Sequence, residues 1–469
     1  MAEFQVVVIG AGPGGYLTAI KLSQLGQKVA LIENDKLGGE CLNYGCIPSK
    51  TMINTSDMYH KMSDLSTQGI EFESVKVDLE TFQTWKNSIT KKLRGGIDLL
   101  CKNYGVEIIF GTAKIRNPNL VEVINGENKK EISTEYIIIA TGSRAKDLED
   151  LRFDGNQIIS AKDVLDLDKV PKSMLIVGGG AIGLELGTAL AKFGTHVTII
   201  EITDKLLPGI EQDLVNVIER SADEIGIKIL LNSRITEISK ESEVVVSIKN
   251  NDNISNEKFE KVLVAVGRRA NVEKLGLEEI GIKFNSNGFI QVDDKMQTNV
   301  SNVFAIGDVI GPPWLAHKAY IQGRKLAYHI AKIPANIQIK NIPYAIYTEP
   351  EIASVGLTEE SALEQKYDIR VGKFQFAANA RALTSDDGKG FAKVVVDNST
   401  HEVLGVHIVG KNASELISEG VLGLNIGMKI EDIESSIHPH PTLTEALFEA
   451  ALVSLDKSVH SFIKKSKSE

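Results

Sequence analysis

The feature that most constrains this 469-residue chain is a pattern of strand, glycine-rich turn, helix and second strand that occurs twice. The first copy runs from the β-branched segment Phe4–Ile9 through Gly10-Ala-Gly12-Pro-Gly-Gly15 and an apolar-periodic helix at residues 16–25 to Val29-Ala-Leu-Ile-Glu33. The second copy runs from Ser173–Val177 through Gly178-Gly-Gly180-Ala-Ile-Gly183 and a helix to Phe193, then to Val197-Thr-Ile-Ile-Glu201. In both copies a glutamate lies 23 positions after the first glycine.

This pattern is typical of dinucleotide-binding domains. The first glycine makes the turn, the second lets the backbone approach a pyrophosphate, and the third lets the helix pack on the strand. The acid at the end of the second strand accepts hydrogen bonds from the adenosine ribose, so Glu33 and Glu201 are candidate ribose ligands. Because a carboxylate repels a 2′-phosphate, Glu201 favours NAD over NADP in the second site, although Lys205 lies nearby. The repeat therefore predicts two dinucleotides in two separate α/β domains.

Two of the three cysteines, Cys41 and Cys46, lie five positions apart just downstream of the first strand–turn–helix–strand pattern. A chain so poor in cysteine is not held together by disulfides, so the close pair indicates a dithiol that exchanges electrons with a bound cofactor. The alternative is a pair of buried apolar cysteines. On a regular helix these positions differ by about 140°, so the sulfurs can bond only where the helix is irregular, and Gly45 permits this.

Composition excludes several functional classes. The net charge of −10 opposes binding to nucleic acid or anionic lipid. No run reaches the roughly 18 apolar residues that a membrane span needs. The N-terminus carries an acid where a secretory signal is basic, which predicts a cytoplasmic protein. The length gives a prior of about three domains.

Further motifs complete a resemblance to a known family. They are the redox motif Cys41-Leu-Asn-Tyr-Gly-Cys46-Ile-Pro-Ser-Lys50, Ala140-Thr-Gly142, Ala265-Val-Gly-Arg268, Gly307-Asp308 with Ala316-His-Lys, and His438-Pro-His440-Pro-Thr-Leu-Thr-Glu445. With them the whole chain resembles the class I pyridine nucleotide-disulfide oxidoreductases, flavoproteins that use FAD and a nicotinamide dinucleotide. It is most similar to the members that oxidise dihydrolipoamide with NAD.

The resemblance implies an α/β architecture with two Rossmann-like domains, for FAD and NAD, and a C-terminal α+β dimerisation domain. The expected boundaries are 1–146 for the first part of the FAD domain, 147–270 for the NAD domain, 271–340 for a central segment completing the FAD domain, and 341–469 for the dimerisation domain. Alternating segments such as Phe391–Asp397 independently indicate an antiparallel sheet in the last of these.

The resemblance also assigns roles to the reactive residues. Cys41 is the sulfur that exchanges with substrate, and Cys46 faces the flavin. Lys50, four residues after Cys46, can share its helix face and is expected to pair with Glu185. His440 is the candidate base, oriented by Glu445, with Pro441 in the first turn of a helix over residues 442–453.

The candidate cofactor-binding residues are then as follows. For FAD they are Gly10, Gly12, Gly15, Glu33, Lys50, Ala113, Thr141, Gly142, Asp308 and Ala316. For NAD they are Gly178, Gly180, Gly183, Glu201, Ile235 and Gly267. No metal site is expected.

The resemblance implies a homodimer in which His440 and Glu445 reach the active site of the other subunit. The implied partner is a lipoyl-bearing acyltransferase of a 2-oxoacid dehydrogenase complex or a glycine-cleavage carrier protein. One departure from the family pattern is Glu40, where a small or neutral residue is expected; a carboxylate facing Cys41 raises the pKa of its thiol.

Alternative functions remain within and outside this family. A glutathione reductase needs NADP-reading arginines after the second turn, and a mercuric reductase needs a C-terminal cysteine pair; the chain has neither feature. A role as a structural docking dimer within a multienzyme assembly is compatible with catalysis. Substitution of Cys46 separates the two roles, because it abolishes turnover without removing a docking surface.

Overall fold

The computed structural model describes residues 2–71, 73–251 and 253–462. These described residues form two compact units: the first lies within Met1–Val170 and Leu263–Ile339, and the second lies within Pro171–Val262 and Lys340–Glu469. Among the described residues, no helix combines the length and apolar character that crossing a bilayer requires.

The helices and strands follow in chain order. Up to residue 170 they are β1 (Phe4–Ile9), α1 (Pro13–Gln24), β2 (Val29–Glu33), α2 (Gly39–Tyr44), α3 (Cys46–Asp64), α4 (Leu79–Asn103), β3 (Glu107–Phe110), β4 (Thr112–Asn117), β5 (Leu120–Asn125), β6 (Asn128–Ile139), β7 (Ser143–Ala145), β8 (Ile158–Ile159) and α5 (Ala161–Val164). Next come β9 (Ser173–Val177), α6 (Ala181–Lys192), β10 (His196–Ile200), α7 (Gln212–Glu224), β11 (Lys228–Leu230), β12 (Ser233–Lys240), β13 (Val244–Asn250), β14 (Asn253–Phe259) and β15 (Lys261–Val264).

The remaining elements begin with β16 (Arg268–Ala270), β17 (Val303–Ala305) and α8 (Ala316–Ile330). They continue with β18 (Tyr344–Ile346), β19 (Glu351–Gly356), α9 (Glu359–Glu364), β20 (Ile369–Gln375), α10 (Ala380–Leu383), β21 (Phe391–Asp397), β22 (Val403–Gly410), α11 (Ala413–Ile426), α12 (Ile430–Glu434) and α13 (Glu445–Ser454). Short 3₁₀ helices occupy Leu65–Gln68, Gly307–Ile310 and Phe376–Ala378.

The first unit is built on a sheet in the order β3-β2-β1-β6-β5-β4, with β17 also paired to β6. Strands β3, β2, β1, β6 and β17 are parallel. Strand β5 pairs antiparallel with the first half of β6, and β4 pairs antiparallel with β5. Alternate residues of β1 enter different cores: Val7 and Ile9 pack in one cluster, and Val6 and Val8 pack in the other. The strand is therefore buried on both faces, which explains its continuous β-branched sequence.

The second unit contains parallel strands in the order β11-β10-β9 and an antiparallel sheet β12-β13-β14. Its C-terminal part is an antiparallel sheet in the order β18-β19-β22-β21-β20. Helices α11 and α13 contribute Ile417, Leu447 and Ala450 to the core beside that sheet. The predicted α/β architecture is confirmed, including the antiparallel sheet expected after residue 340.

Candidate active site

The first glycine-rich turn joins β1 to α1 with the geometry that a dinucleotide requires. Gly10 has a φ of +99°, and a Cβ there would lie 2.5 Å from the carbonyl oxygen of Ala140. A Cβ on Gly15 would overlap the carbonyl oxygen of Gly10, so the helix packs directly on the strand. At Gly12, by contrast, the nearest atom to such a Cβ is 4.0 Å away. Gly10 and Gly15 are thus needed for packing, whereas Gly12 leaves room for a ligand to approach the backbone.

Glu33 is buried at the end of β2 and holds this turn in place. Its Oε2 accepts a hydrogen bond from the Ala11 N–H at 2.7 Å, and its Oε1 accepts from the N–H groups of Asn34 and Asp35 at 2.8 Å each. Burial raises the pKa of Glu33 above its usual value, although these three hydrogen bonds favour the carboxylate. The carboxylate is fixed beside the turn, where an adenosine ribose is expected.

The second glycine-rich turn has the same two hydrogen bonds from backbone N–H groups as the first. Gly179 N–H donates to Glu201 Oε2 at 2.7 Å, as Ala11 does to Glu33. Gly178 N–H donates to the carbonyl of Ile200 at 2.9 Å, as Gly10 does to Ile32 at 2.8 Å. A Cβ on Gly183 would overlap the carbonyl oxygen of Gly178, whereas one on Gly180 would meet nothing within 4 Å.

Both turns fit the pyrophosphate of a dinucleotide. Helices α1 and α6 begin directly after the open glycines and have no acidic residue in the first turn. No side chain caps Gly12 or Gly180, so the first N–H groups of each helix are available to an anion. The predicted cofactors FAD and NAD are therefore accommodated by the residues present.

Three other predicted FAD residues, Thr141, Gly142 and Asp308, lie at the carboxyl ends of β6 and β17. The Thr141 hydroxyl donates to the carbonyl of Asn271 at 2.7 Å, and Asn271 N–H donates to the carbonyl of Gly142 at 3.0 Å. Ser143 Oγ donates to Asp308 Oδ2 at 2.6 Å, which fixes the Asp308 carboxylate after β17. Ala316 is the first residue of α8.

Two further predicted cofactor-binding residues, Ala113 on β4 and Ile235 on β12, lie near the backbone carbonyls of Glu33 and Glu201. Ala113 is buried two residues after Gly111, whose N–H donates to the carbonyl of Glu33 at 2.8 Å. In the second unit, Ile235 lies two residues after Ser233, whose N–H donates to the carbonyl of Glu201 at 2.8 Å. The two positions are equivalent in the repeat, and their contacts with cofactor stay predictions.

Gly267 and Glu185 have local contacts of their own. Gly267 has a φ of +121° and lies in the first unit, where its carbonyl accepts from Lys146 N–H at 3.0 Å. Glu185 is buried on α6 in the second unit, where its Oε1 accepts from Tyr347 N–H at 2.9 Å. The assignment of Gly267 to NAD and the pairing of Glu185 with Lys50, which lies on α3 of the first unit, remain predictions.

Cys41 and Cys46 form a disulfide with a Cα–Cα distance of 4.8 Å. The helix is interrupted between them: α2 ends at Tyr44, Gly45 adopts φ −135° and ψ −108°, and α3 begins at Cys46. A Cβ on Gly45 would lie 3.3 Å from the carbonyl oxygen of Glu40, so glycine suits this crowded break. The expectation that the pair needs an irregular helix at Gly45 is confirmed.

His440 and Glu445 are in direct contact. His440 Nδ1 is 2.8 Å from Glu445 Oε1, and Thr442 N–H donates to Glu445 Oε2 at 2.7 Å. Although partial burial acts to raise it, the hydrogen bonds from Thr442 and His440 hold the pKa of Glu445 below its usual value. The His440 side chain is 73% exposed, so its Nε2 face is open to a reactant.

The helix predicted over residues 442–453 was placed too early. Helix α13 begins at Glu445, and Pro441 precedes it rather than occupying its first turn. Because the Thr442 N–H is bound by the Glu445 side chain, residues 442–444 form a turn that brings this carboxylate back to His440.

Sequence reasoning did not assign roles to three residues that support the site. Arg268 donates through Nε to Ser143 Oγ at 2.7 Å, and Ser143 in turn holds Asp308. Asn271 orders the Thr141-Gly142 turn. Arg268 belongs to a recognised motif, and the unexpected charge of Glu40 was a signal that could have prompted a search for a cationic partner.

Comparison with known proteins defines the class. Residues 4–323 match the family model described as pyridine nucleotide-disulphide oxidoreductase, and residues 342–451 match the dimerisation domain of the same family. LpdA from Mycobacterium tuberculosis superimposes with a TM-score of 0.89 at 25% identity, covering 95% of this chain and 99% of that one. The flavoprotein disulfide reductase RclA from Escherichia coli gives 0.85 at 28% identity, covering 95% and 98%. The chain belongs to the pyridine nucleotide-disulphide oxidoreductases and is an FAD-dependent oxidoreductase.

Sequence relatives narrow this class. The chain is 42% identical over 463 residues to a dihydrolipoyl dehydrogenase of Geobacillus stearothermophilus, with 98% of each chain covered. It is 40% identical over 462 residues to that of Bacillus subtilis, again with 98% of each covered. Within the family, the chain belongs to the dihydrolipoyl dehydrogenase group.

Proposed function

We propose that this protein oxidises a protein-bound dihydrolipoyl group to its cyclic disulfide and reduces NAD⁺ to NADH. The observation that carries the proposal is the Cys41–Cys46 disulfide, formed across a helix break soon after β2, the second strand of the first dinucleotide-binding unit. Full-length similarity to dihydrolipoyl dehydrogenases supports the choice of substrate. In the balanced reaction the dithiol loses two electrons and two protons; NAD⁺ takes both electrons and one proton, and the other proton goes to solvent.

The protein's own part of the reaction is thiol–disulfide exchange. A substrate thiolate attacks Cys41 Sγ, the Cys41–Cys46 bond breaks, and Cys46 leaves as a thiolate. The second substrate thiolate then attacks the substrate sulfur bound to Cys41, which closes the lipoyl ring and releases Cys41. Lys50 lies one turn after Cys46 on α3, where its ammonium favours the Cys46 thiolate. FAD, when bound, supplies the two-electron carrier between this dithiol and the nicotinamide.

His440 is the base that removes the proton from the substrate thiol. With Nδ1 held by the Glu445 carboxylate, Nε2 is the nitrogen that accepts the proton. Glu445 orients the ring and stabilises the imidazolium that forms. The carboxylate's own lowered pKa keeps it ionised for this task.

We propose further that His440 and Glu445 serve the cysteine pair of a second copy in a homodimer. Both residues fall within residues 342–451, which match a dimerisation domain. Large apolar side chains are exposed in the same region: Leu422, Ile426 and Ile437 are 65%, 72% and 98% exposed. Their burial against a second chain would provide a driving force for association.

The partner we propose is the lipoyl-bearing acyltransferase of a 2-oxoacid dehydrogenase complex or a glycine-cleavage carrier protein. We also propose a cytoplasmic location for this reaction.

A direct assay tests the proposal. The purified holoenzyme should produce NADH, followed by its absorbance, when dihydrolipoamide and NAD⁺ are supplied, and should give far less NADPH with NADP⁺. Cys46→Ser should abolish this turnover. The protein would belong elsewhere in the family if it formed no NADH and instead oxidised NADPH rapidly when oxidised glutathione was supplied.

The third cysteine provides the matched control. Cys101 is buried on α4, and burial raises the pKa of its thiol to about 11, so it carries little thiolate at neutral pH. Cys101→Ala should therefore keep dihydrolipoamide-dependent NAD⁺ reduction near the wild-type rate. Equal loss of activity in Cys101→Ala and Cys46→Ser would contradict the role assigned to the Cys41–Cys46 pair.

A further inference from the structure

An ion pair adjoins the redox disulfide. Glu40, the residue before Cys41, lies in the first turn of α2, and its Oε1 is 3.1 Å from Arg268 Nη2. The Glu40 side chain is 41% exposed and that of Arg268 only 14%. The two residues are 228 positions apart in sequence, yet both lie within the first unit.

The Arg268 guanidinium is held by more than this one contact. Its Nε donates to Ser143 Oγ at 2.7 Å, and its Nη2 donates to the carbonyl of Ser143 at 2.9 Å. Its Nε also lies 3.8 Å from Asp308 Oδ2. Because strands β16 and β7 pair with Arg268 opposite Ala145, the guanidinium is fixed between two carboxylates, Glu40 and Asp308. Such a preorganised arginine loses little entropy when it binds Glu40, unlike a typical surface pair.

The two charges of this pair have opposite effects on the thiol pKa of Cys41. In the reduced enzyme Cys41 must ionise to act as a nucleophile or leaving group. A carboxylate on the adjacent residue disfavours that thiolate, whereas a guanidinium at the same place favours it. Each charge therefore offsets the effect of the other on the Cys41 thiol.

We propose that Glu40 and Arg268 are positioning residues that together set the thiol pKa of Cys41 and anchor the start of α2 to the Ser143–Asp308 site. This inference rests on the proposed function, since it concerns Cys41 as the sulfur that exchanges with substrate. It also accounts for the acidic residue at a position where the family resemblance predicts a small or neutral one.

Other charges surround α2 and must be kept constant in any test. Lys50 lies on α3; Arg94 of α4 donates to Asn43 Oδ1 at 2.8 Å; and Asp35 accepts from the Tyr44 hydroxyl at 2.6 Å. Lys36 and Lys162 lie over the Tyr44 ring at 5.0 and 4.1 Å from its centroid. All of these remain in the variants below, so differences among the variants report on Glu40 and Arg268.

The experiment measures the pH dependence of iodoacetamide alkylation at Cys41 in the reduced full-length holoenzyme, with the modified site read by mass spectrometry. Arg268→Gln leaves Glu40 uncompensated and should raise the apparent thiol pKa by about half a unit to one unit. Glu40→Gln leaves Arg268 uncompensated and should lower it by a similar amount. The double variant should return close to wild type, and Arg268→Lys should shift it less than Arg268→Gln does. Both single-variant shifts should shrink at high salt, where the Debye length is about 3 Å at 1 M.

The direction of the shifts decides the outcome. If both single variants move the alkylation profile the same way, or neither moves it, the proposal is wrong, because a purely structural contact has no reason to act with opposite sign. If Arg268→Gln alone fails to fold, Glu40→Gln and Arg268→Lys still test the opposite signs of the two shifts. Alkylation needs no lipoyl substrate, so opposite shifts in an enzyme that fails to oxidise dihydrolipoamide would reject the proposed function and keep this inference.

Discussion

At the scale of single residues, the chemistry depends on side chains that hydrogen bonds hold in one orientation. Glu445 uses one carboxylate oxygen for His440 and the other for the Thr442 N–H, so it has little freedom to move away from the imidazole. His438, two residues earlier, is bound differently: its Nε2 is 3.1 Å from Glu419, and its side chain is only 9% exposed. Of these two histidines, His440 alone combines an orienting carboxylate on one nitrogen with a widely exposed ring.

The two histidines therefore make a matched test. His440→Gln should lower the turnover of dihydrolipoamide by about 100-fold or more, because a positioned general base contributes that much. Flavin absorbance should be unchanged. His438→Gln should keep turnover within a few-fold of wild type and act mainly on thermal stability. Turnover is measured as NADH formation. Equal losses of turnover in the two variants would contradict the assignment of His440, rather than His438, as the base.

Residue roles were predictable where a local pattern carries them. Glu33 and Glu201 follow from their fixed spacing to the glycines, and Gly45 follows from the need to break a helix between two bonded cysteines. Arg268 was missed because its partners Glu40 and Ser143 are more than 120 positions away, at 228 and 125. No local sequence rule connects residues whose proximity is created by the pairing of β16 with β7.

At the scale of secondary structure, each strand–turn–helix unit uses one glycine for packing and a different glycine for ligand binding. In the second unit, the Cβ position of Gly183 is filled by the carbonyl oxygen of Gly178, whereas that of Gly180 faces open space. Gly180 has a φ of −81°, a conformation that alanine also adopts. The same methyl group should thus have different consequences at two positions three residues apart.

Gly180→Ala should fold normally and raise the KM for NAD⁺ by about tenfold, corresponding to about 1.4 kcal/mol, because the methyl group obstructs the pyrophosphate. The KM for dihydrolipoamide should not change. Gly183→Ala should instead lower the melting temperature, because α6 must move away from β9. The comparison requires steady-state kinetics and thermal unfolding of both variants. Unchanged NAD⁺ kinetics in a folded Gly180→Ala enzyme would contradict the location of the pyrophosphate.

Strand boundaries were well predicted where continuous β-branched runs end at a glycine or an acid. Phe4–Ile9, Val29–Glu33, Ser173–Val177 and Phe391–Asp397 all form strands with the predicted limits, whereas the strand predicted over residues 197–201 is His196–Ile200. The start of α13 was predicted too early, because placing Pro441 in the first turn of the helix does not reveal that the Glu445 side chain captures the Thr442 N–H. A hydrogen bond from a side chain to the backbone decided that boundary.

At the scale of the whole molecule, a buried ammonium ties together distant parts of the second unit. Lys393 of β21 is 1% exposed and pairs with Glu211, with Asp213 at 2.9 Å and with Glu359 at 2.7 Å. The three acids have the spacing of a cation site, and the lysine supplies the cation. Asp213 also accepts from Lys373 at 3.0 Å. The cluster joins the start of α7, the helix that follows β10, to the C-terminal sheet.

Burial makes this cluster costly to disrupt. Although desolvation acts to lower it, the carboxylates hold the pKa of Lys393 above its usual value. Although desolvation acts to raise it, the two lysines hold the pKa of Asp213 below its usual value. Lys393→Met should lower the free energy of unfolding by about 3–5 kcal/mol, since it removes the ammonium from Glu211, whose side chain is only 7% exposed. Lys373→Met is the control: its side chain is 35% exposed, so its loss should cost about 1 kcal/mol or less.

The stability difference between wild type and Lys393→Met should decrease as the pH falls. An acid whose pKa is lowered by folding contributes stability that is present above its unfolded value, 3.8 for Asp213, and is lost as the pH falls through the folded value. Wild type should therefore lose its advantage over Lys393→Met as the pH is lowered from 7 to roughly 3, because protonated carboxylates no longer need the ammonium. Denaturant unfolding of the flavin-loaded enzyme at fixed protein concentration measures the difference. A stability gap that is constant with pH would show that Lys393 stabilises the second unit through packing of its aliphatic stem rather than through its charge.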